Sequence, residues 1–249
     1  MSFLSNIFGK SSRGDTPADL SILNADMHSH LIPAIDDGSK SLEDSIAMIT
    51  AFAELGYKKI ITTPHIMSDA YRNTPEIILN GLENVRAALR EKGVAIEMEA
   101  AAEYYIDFEF EQMIDKKQLL TFGKNYVLVE TSFINPPDNL NAIFFKLITN
   151  NYKPVFAHPE RYSFWHGNFE KYEEIIEKGA ILQLNINSLT GQYGPAVKKI
   201  AERMIDNNMI SLVGSDCHHL GHVNLMKQVR FEKSLHKLLA SGKLLNSTL

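Results

Sequence analysis

From residue 25 onward, short apolar runs alternate with longer stretches whose apolar residues recur every three or four positions. Short runs suit buried strands and the longer period suits helices packed on them, so the alternation predicts repeated β-α units. The strand candidates are Ala25–His30, Lys59–Thr63, Val94–Ala102, Tyr126–Glu130, Pro154–His158, Ala180–Ile186 and Ile210–Ser215. Helix punctuation falls between them. SLED at 41–44 resembles a capping box, and Thr74-Pro75 puts proline where a first helical turn tolerates it. Gly56, Gly93 and Gly179 follow helical patterns as stops. No composition shift divides the chain, which reads as a flexible tail over residues 1–22 and one α/β domain over 23–249 of seven parallel strands.

Polar residues fall at the ends of these runs. His28 and His30 close the first, His65 follows the second and Glu103 the third, Glu130 and His158 end the fourth and fifth, Asn185 and Asn187 the sixth, and Asp216 and His218 the last. In a barrel of parallel strands all such ends gather on one rim, where these folds place their active sites. His28 and His30, two apart, point to one face of a strand, and Asp216 and His218 repeat the arrangement. Imidazoles mixed with carboxylates suit zinc, manganese or iron, whereas an all-carboxylate site would favour magnesium or calcium. At least four histidines with two or three acids exceed the needs of one tetrahedral ion, so the pattern predicts two or three divalent ions, bridged by Glu103 or Asp216. Asp36-Asp37-Gly38 also has the composition of an ordinary turn.

Composition changes the picture modestly. The 249 residues are 45% hydrophobic and 22% charged, with a formal charge of −5, so nonspecific nucleic-acid binding is not the expectation. A lone cysteine makes no internal disulfide and fits a reducing, cytoplasmic setting. The opening MSFLSNIFGK lacks the form of a secretory signal, and no run is long enough to span a bilayer. Phe3, Leu4, Ile7 and Phe8 would share one face of a short helix able to touch a partner or a membrane.

The lone cysteine sits in GSDCHH, where Cys217 must point away from Asp216 and His218. A cysteine-phosphatase loop needs an arginine six positions on, and Val223 stands there. An adjacent carboxylate also opposes a thiolate. Cys217 therefore reads as a small buried residue behind the metal-bearing face.

DMHSHLIPAIDDGSKS, TTPH, AAEYY, AHPERY and GSDCH resemble, in this order, the PHP (polymerase and histidinol phosphatase) superfamily, and within it the bacterial protein-tyrosine phosphatases linked to capsule and exopolysaccharide control. The resemblance covers roughly residues 23–225. It implies a distorted, TIM-like β/α barrel of the PHP type and a metal-dependent phosphoric monoester hydrolase. It also implies that His28, His30, Asp37, His65, Glu103, His158, Asp216 and His218 ligate metals, with Glu103 bridging. The expected reaction is hydrolysis of phosphotyrosine, on a bacterial tyrosine kinase, by a metal-bridging hydroxide, with Arg161, Asp216 and His158 catalytic.

Arg161 in HPERY is the candidate phosphate clamp, since its planar fork can grip two oxygens. A surface salt bridge with Glu160 or another acid is its other reading. The family pattern has a second arginine after the last D-x-H pair, but this chain reads HHLGHVNL, leaving His222, or Arg72 from the loop after His65, as substitutes. Tyr71, Tyr104, Tyr105 and Phe133 are candidate aromatic surface for a phenol ring, with core packing as the alternative for each. Two other functions fit less well: a PHP-type phosphoesterase acting on a small ester such as histidinol phosphate or on nucleic-acid ends, and a noncatalytic module docking on a kinase.

Overall fold

The computed structural model describes residues 14–249. Its main elements run β1 (Ala25–Asp26), α1 (Leu42–Glu54), β2 (Lys59–Thr62), β3 (His65–Ile66), α2 (Pro75–Lys92), β4 (Glu97–Ala100), β5 (Glu103–Tyr105), α3 (Phe108–Lys116) and β6 (Tyr126–Glu130). They continue with α4 (Leu140–Thr149), β7 (Lys153–Ala157), α5 (Glu170–Glu177), β8 (Ile181–Asn185), α6 (Pro195–Asp206), β9 (Ile210–Gly214), α7 (Leu220–Val229) and α8 (Lys233–Ala240). The helix signals correspond to real caps. Ser41 accepts from the Asp44 N–H at 3.1 Å, Thr74 accepts from Ile77, and Gly93 closes α2 in the left-handed conformation at φ 69°.

The β-α alternation yields parallel ladders throughout, in two sheets of order β1-β2-β4 and β3-β5-β6-β7-β8-β9. The expectation of seven strands in one sheet is corrected to nine in two. The two additional strands, β3 and β5, follow immediately after the second and third apolar runs. Pro64, which has no N–H to donate, falls between β2 and β3 and interrupts the ladder. Pairing resumes beyond it, with His65 opposite Glu103 and the Glu103 N–H donating to the Pro64 carbonyl at 3.1 Å.

The first run pairs as a strand only over Ala25–Asp26, and no ladder joins β1 to β9. Side chains occupy that seam. Asn246 donates to the Ala25 carbonyl (3.0 Å) and the Val213 carbonyl (2.7 Å), and accepts from the Val213 N–H (2.9 Å). Asp26 accepts from the N–H and hydroxyl of Ser215 at 2.9 and 3.0 Å. Beyond them the backbones meet directly, with the Asp216 N–H on the His28 carbonyl (2.8 Å) and the His30 N–H on the Cys217 carbonyl (2.9 Å).

Strand alternation sorts the core into two clusters. Ile60, Val127, Val129, Phe156 and Val213 join the larger one, which includes the buried faces of the helices. Their neighbours Ile61, Leu128, Val155, Ala157 and Leu212 pack with Met27 and Ala101 in the smaller one. Glu130 and Gln183 share the parity of this second face, so one surface carries an apolar cluster and, nearer the strand ends, buried polar groups. Residues 14–22, placed by the sequence with the tail, dock on the domain: Leu20 is buried, and the Ala18 N–H donates to the Arg230 carbonyl at 2.7 Å. Phe3, Leu4, Ile7 and Phe8 lie outside the described residues. Among those residues no helix is long and apolar enough to cross a membrane.

Candidate metal centre

All eight residues that the family resemblance implied as ligands converge. His28 and His30 come from the chain leaving β1, Asp37 from the loop before α1, and His65 and Glu103 from the paired first residues of β3 and β5. His158 follows β7, and Asp216 and His218 follow β9. The chain turns sharply at two of these positions. His158 and Asp216 take φ of 34° and 50°, a region that side-chain-bearing residues enter at a cost and that recurs at functional sites.

The donors form overlapping sets. In one, His28 Nε2 lies 3.1 Å from Glu103 Oε2 and 3.3 Å from Asp216 Oδ1, while His30 Nε2 lies 3.4 and 3.5 Å from the same atoms. In another, Asp37 Oδ1 is 3.5 Å from His65 Nε2 and 3.4 Å from His218 Nε2, with His30 completing the group. In a third, His65 Nδ1 approaches Glu103 Oε2 at 3.3 Å and Glu130 Oε1 at 3.1 Å. His158 Nε2 adds a contact to Glu103 Oε1 at 3.2 Å. Donors bound at about 2.1 Å around one tetrahedral ion stand roughly 3.4 Å apart, so these spacings fit shared cations. Glu103 Oε2 is buried without a hydrogen-bond donor although three imidazoles face it, which suits an oxygen held for metal.

Electrostatics tie the donors to one another. Burial disfavours both charged imidazoles and carboxylates here, but their mutual attraction outweighs it. Burial would lower His28, yet Glu103 and Asp216 hold it up at about 9. Burial would raise Glu103 and Asp216, yet the imidazoles, His28 foremost, hold both well below the usual carboxylate range. His158 is pushed down, by burial first and then by the Arg161 charge, so it presents a neutral imidazole. Protonated imidazoles thus balance the ionised carboxylates, and a bound divalent cation would displace those protons and take over that balance.

Arg161 reaches this centre rather than a surface partner. Its Nη1 donates to Asp216 Oδ2 at 2.7 Å, and its guanidinium lies 4.6 Å from the Phe133 ring centre and 4.4 Å from that of Tyr193. Glu160, the acid expected as its alternative partner, is buried and accepts instead from Ser188 Oγ (2.6 Å) and the Asn185 N–H (3.0 Å). Asn185 in turn donates to Asp216 Oδ2 at 3.0 Å. Asn187 lies farther out, donating to the His222 carbonyl at 3.2 Å. A cavity of about 330 Å³ opens over the cluster, lined among others by Arg161, Phe133, Tyr193, His219 and His222.

The other candidates divide. His222 lines the cavity, its Nδ1 3.2 Å from the His218 N–H. Arg72 does not; it donates to the Ser68 carbonyl at 2.7 Å and lines a separate cleft of about 580 Å³ between α2 and α3. Tyr105 is partly buried in β5 and is not among the residues lining the cavity. Tyr104 is core, its hydroxyl accepting from the Leu120 N–H at 2.6 Å. Tyr71 stacks on His65 with ring centres 5.4 Å apart, and Phe133, 40% exposed, stacks on His158 at 5.5 Å. Cys217 is buried against Met48, its Sγ 3.7 Å from the Met48 sulfur, and burial raises its thiol far above the usual range.

Sequence reasoning undervalued Glu130, a strand-end acid with no spacing motif, and it overlooked Gln183 and Tyr193. Gln183 shows only as a polar residue at an inward position of an apolar strand, and Tyr193 sits in a loop with no pattern to mark it.

A family model for capsular polysaccharide synthesis proteins, CpsB/CapC, matches residues 24–230. The chain belongs to this family. Among its relatives, the tyrosine-protein phosphatase YwqE of Bacillus subtilis is 33% identical over 204 residues, 82% of this chain and 80% of YwqE. A crystal structure from work on YwqE and on CpsB of Streptococcus pneumoniae, described as metal-dependent tyrosine phosphatases, matches with TM-score 0.79 and 31% identity over 90% of each chain. A Lactococcus lactis histidinol phosphate phosphatase, solved with zinc, L-histidinol and phosphate, shares the fold at TM-score 0.50 and 14% identity, covering 84% of this chain and 93% of its own. The CpsB/CapC match spans every site residue from His28 to His222.

Proposed function

We propose that this chain is a metal-dependent protein-tyrosine phosphatase that hydrolyses phosphotyrosine on a bacterial tyrosine kinase controlling capsule or exopolysaccharide synthesis. The observation that carries the proposal is the convergence of five imidazoles and four carboxylates beneath a cavity whose wall holds an arginine between two aromatic rings. His28, His30, Asp37, His65, Glu103, Glu130, His158, Asp216 and His218 would hold two or three divalent ions, of manganese, iron or zinc, with Glu103 shared between them. Such ions, when bound, bring the pKa of a coordinated water toward neutrality and offset the negative charge of a phosphate.

The protein's own groups supply position. Asp216 and the rings of Phe133 and Tyr193 fix the Arg161 fork, so little side-chain entropy remains to be lost when its other N–H groups take phosphate oxygens. The partly exposed Phe133 offers the phenol ring an aromatic face beside His158. His222 stands on the cavity wall, in the stretch after Asp216-Cys217-His218 where the family pattern has a second arginine. A phenolate leaving group, with a pKa near 10, departs with little help from a dedicated acid.

The two sheets make, in this reading, one distorted PHP-type barrel, supported by the parallel order of the strands and by the Asn246 and Asp26 contacts that bridge β1 to β9. We assign the chain to the cytoplasm, with a phosphotyrosine protein and no nucleic acid as its partner.

The test is release of phosphate from p-nitrophenyl phosphate with and without a chelator, followed by turnover of a phosphotyrosine peptide, histidinol phosphate and a short oligonucleotide. Chelator-sensitive activity with preference for the peptide is expected. Undiminished turnover after metal removal would refute the metal reading, and preference for histidinol phosphate would refute the substrate.

A further inference from the structure

Strand β8 turns two polar side chains, two residues apart, to one face. Gln183 Oε1 lies 2.9 Å from His28 Nδ1, and Asn185 ends the strand beside Asp216. Asn185 is held closely. Its N–H donates to Glu160 Oε1, and its side-chain Oδ1 accepts the Asn187 N–H, each at 3.0 Å. A backbone N–H can only donate, so the second bond decides which end of the amide is oxygen. The amide nitrogen is thereby turned to two acceptors, Asp216 Oδ2 at 3.0 Å and the Tyr193 hydroxyl oxygen at 3.2 Å.

A phenol that accepts from an amide must send its one hydrogen elsewhere. Among the described residues the Tyr193 hydroxyl makes no other hydrogen bond. Tyr193 lines the cavity over the metal cluster, and its ring centre lies 4.4 Å from the Arg161 guanidinium. Gly191 and Gly194, at φ of 84° and 96°, reverse the chain on either side of it, so that it returns over the end of β8. Arg161 thus fixes the ring, and Asn185 fixes the direction of the hydroxyl. The depth of that hydroxyl matters too. It stands one amide away from Asp216 Oδ2, the oxygen that Arg161 Nη1 also meets at 2.7 Å, so it lies beside the metal cluster, where a phosphate would sit, rather than at the outer rim.

We infer that the Tyr193 hydroxyl donates to a phosphate oxygen of the substrate beside the Arg161 fork, with Asn185 as the positioning residue that turns it into the cavity. This role rests on the phosphatase reading above. It adds a neutral donor to the guanidinium and gives the strand-end Asn185 a task in substrate binding.

The test is Tyr193→Phe, which removes the hydroxyl and keeps a ring against Arg161. The metal-loaded unaltered chain and the variant are compared in turnover of p-nitrophenyl phosphate and in binding of inorganic phosphate by titration calorimetry. Bound metal is counted and circular dichroism recorded for each. Loss of a hydrogen bond to a charged acceptor is expected to lower both kcat/KM and phosphate affinity about 10-fold or more, with metal content unchanged. Asn185→Ala should also weaken phosphate binding, yet add little once Tyr193→Phe is present. Unchanged turnover or unchanged phosphate affinity in Tyr193→Phe would overturn the inference, since inorganic phosphate has no aryl group for the hydroxyl to meet. Fully additive losses in the double variant would overturn the positioning role of Asn185. An unaltered, metal-loaded chain that releases no phosphate would remove the phosphatase reading and this role with it, a result seen before any substitution is made.

Discussion

One face of the strands carries two regions of opposite character. Near Met27, Ile61, Leu128, Val155 and Leu212 it is apolar and closely packed, and its contribution is hydrophobic burial. A few residues further along the same strands it holds histidines, carboxylates and an arginine, with buried atoms such as Glu103 Oε2 and His65 Nδ1 lacking hydrogen-bond partners and with His158 and Asp216 in unfavourable backbone conformations. The first region is buried apolar packing of the ordinary kind. The second breaks several local rules of folding, and such departures concentrate where a protein binds something. Substitutions should therefore separate the two: the polar region fails in chemistry, the apolar region in stability.

The sharpest separation pairs Asp216→Ala or His158→Ala with Leu128→Ala. Either site substitution is expected to lower turnover about 1000-fold or more, roughly 4 kcal/mol of barrier, with the fold retained. Leu128→Ala should cost about 2–5 kcal/mol of stability, read as a lower denaturation midpoint, while the folded fraction keeps its metal and its activity. Comparable activity loss per folded molecule from Leu128→Ala would dissolve the distinction.

Arg161 lies between the regions in kind, since it is held by aromatic stacking as well as by Asp216. Arg161→Ala is expected to lower kcat/KM for a phosphotyrosine peptide about 100-fold. Arg161→Lys keeps charge but loses the fork, so it should recover only part of this. Full recovery by lysine would show that charge alone matters there.

The seam between β1 and β9 tests the apolar region's boundary. Asn246→Leu removes the amide that serves the Ala25 and Val213 carbonyls and the Val213 N–H, leaving buried backbone groups unpaired. A loss of about 2 kcal/mol in chemical denaturation is expected, with activity per folded molecule unchanged.

The order of strands and helices was legible because apolar period and caps are local, as Ser41, Thr74 and Gly93 demonstrate. The break that follows the second run was also written in Pro64, whose missing N–H ends the ladder there. Most of the candidate ligand set was legible as polar residues ending apolar runs, and Asp37 through family resemblance. Glu130 and Gln183 were harder, since an acid ending a strand and a lone inward glutamine acquire meaning only from what tertiary structure brings opposite them. Arg72 shows the converse: a cation close to His65 in sequence faces a different cleft, because Tyr71 turns back on Met67 and stacks on the imidazole.

The smallest expected effect falls at Cys217, where the two regions come within one residue of each other. Asp216 and His218 face the candidate metal centre, and alternation turns Cys217 into the larger core, where its sulfur meets Met48 at 3.7 Å and the His219 carbonyl at 3.6 Å. Its contact with the first strand is made by backbone, through its carbonyl and the His30 N–H, so shortening the side chain leaves the seam intact. Cys217→Ala should then cost only about 1 kcal/mol of stability and leave kcat and metal content near those of the unaltered chain. Loss of turnover with metal content preserved would place the thiol in the reaction and move the chemistry from the polar face to the core behind it.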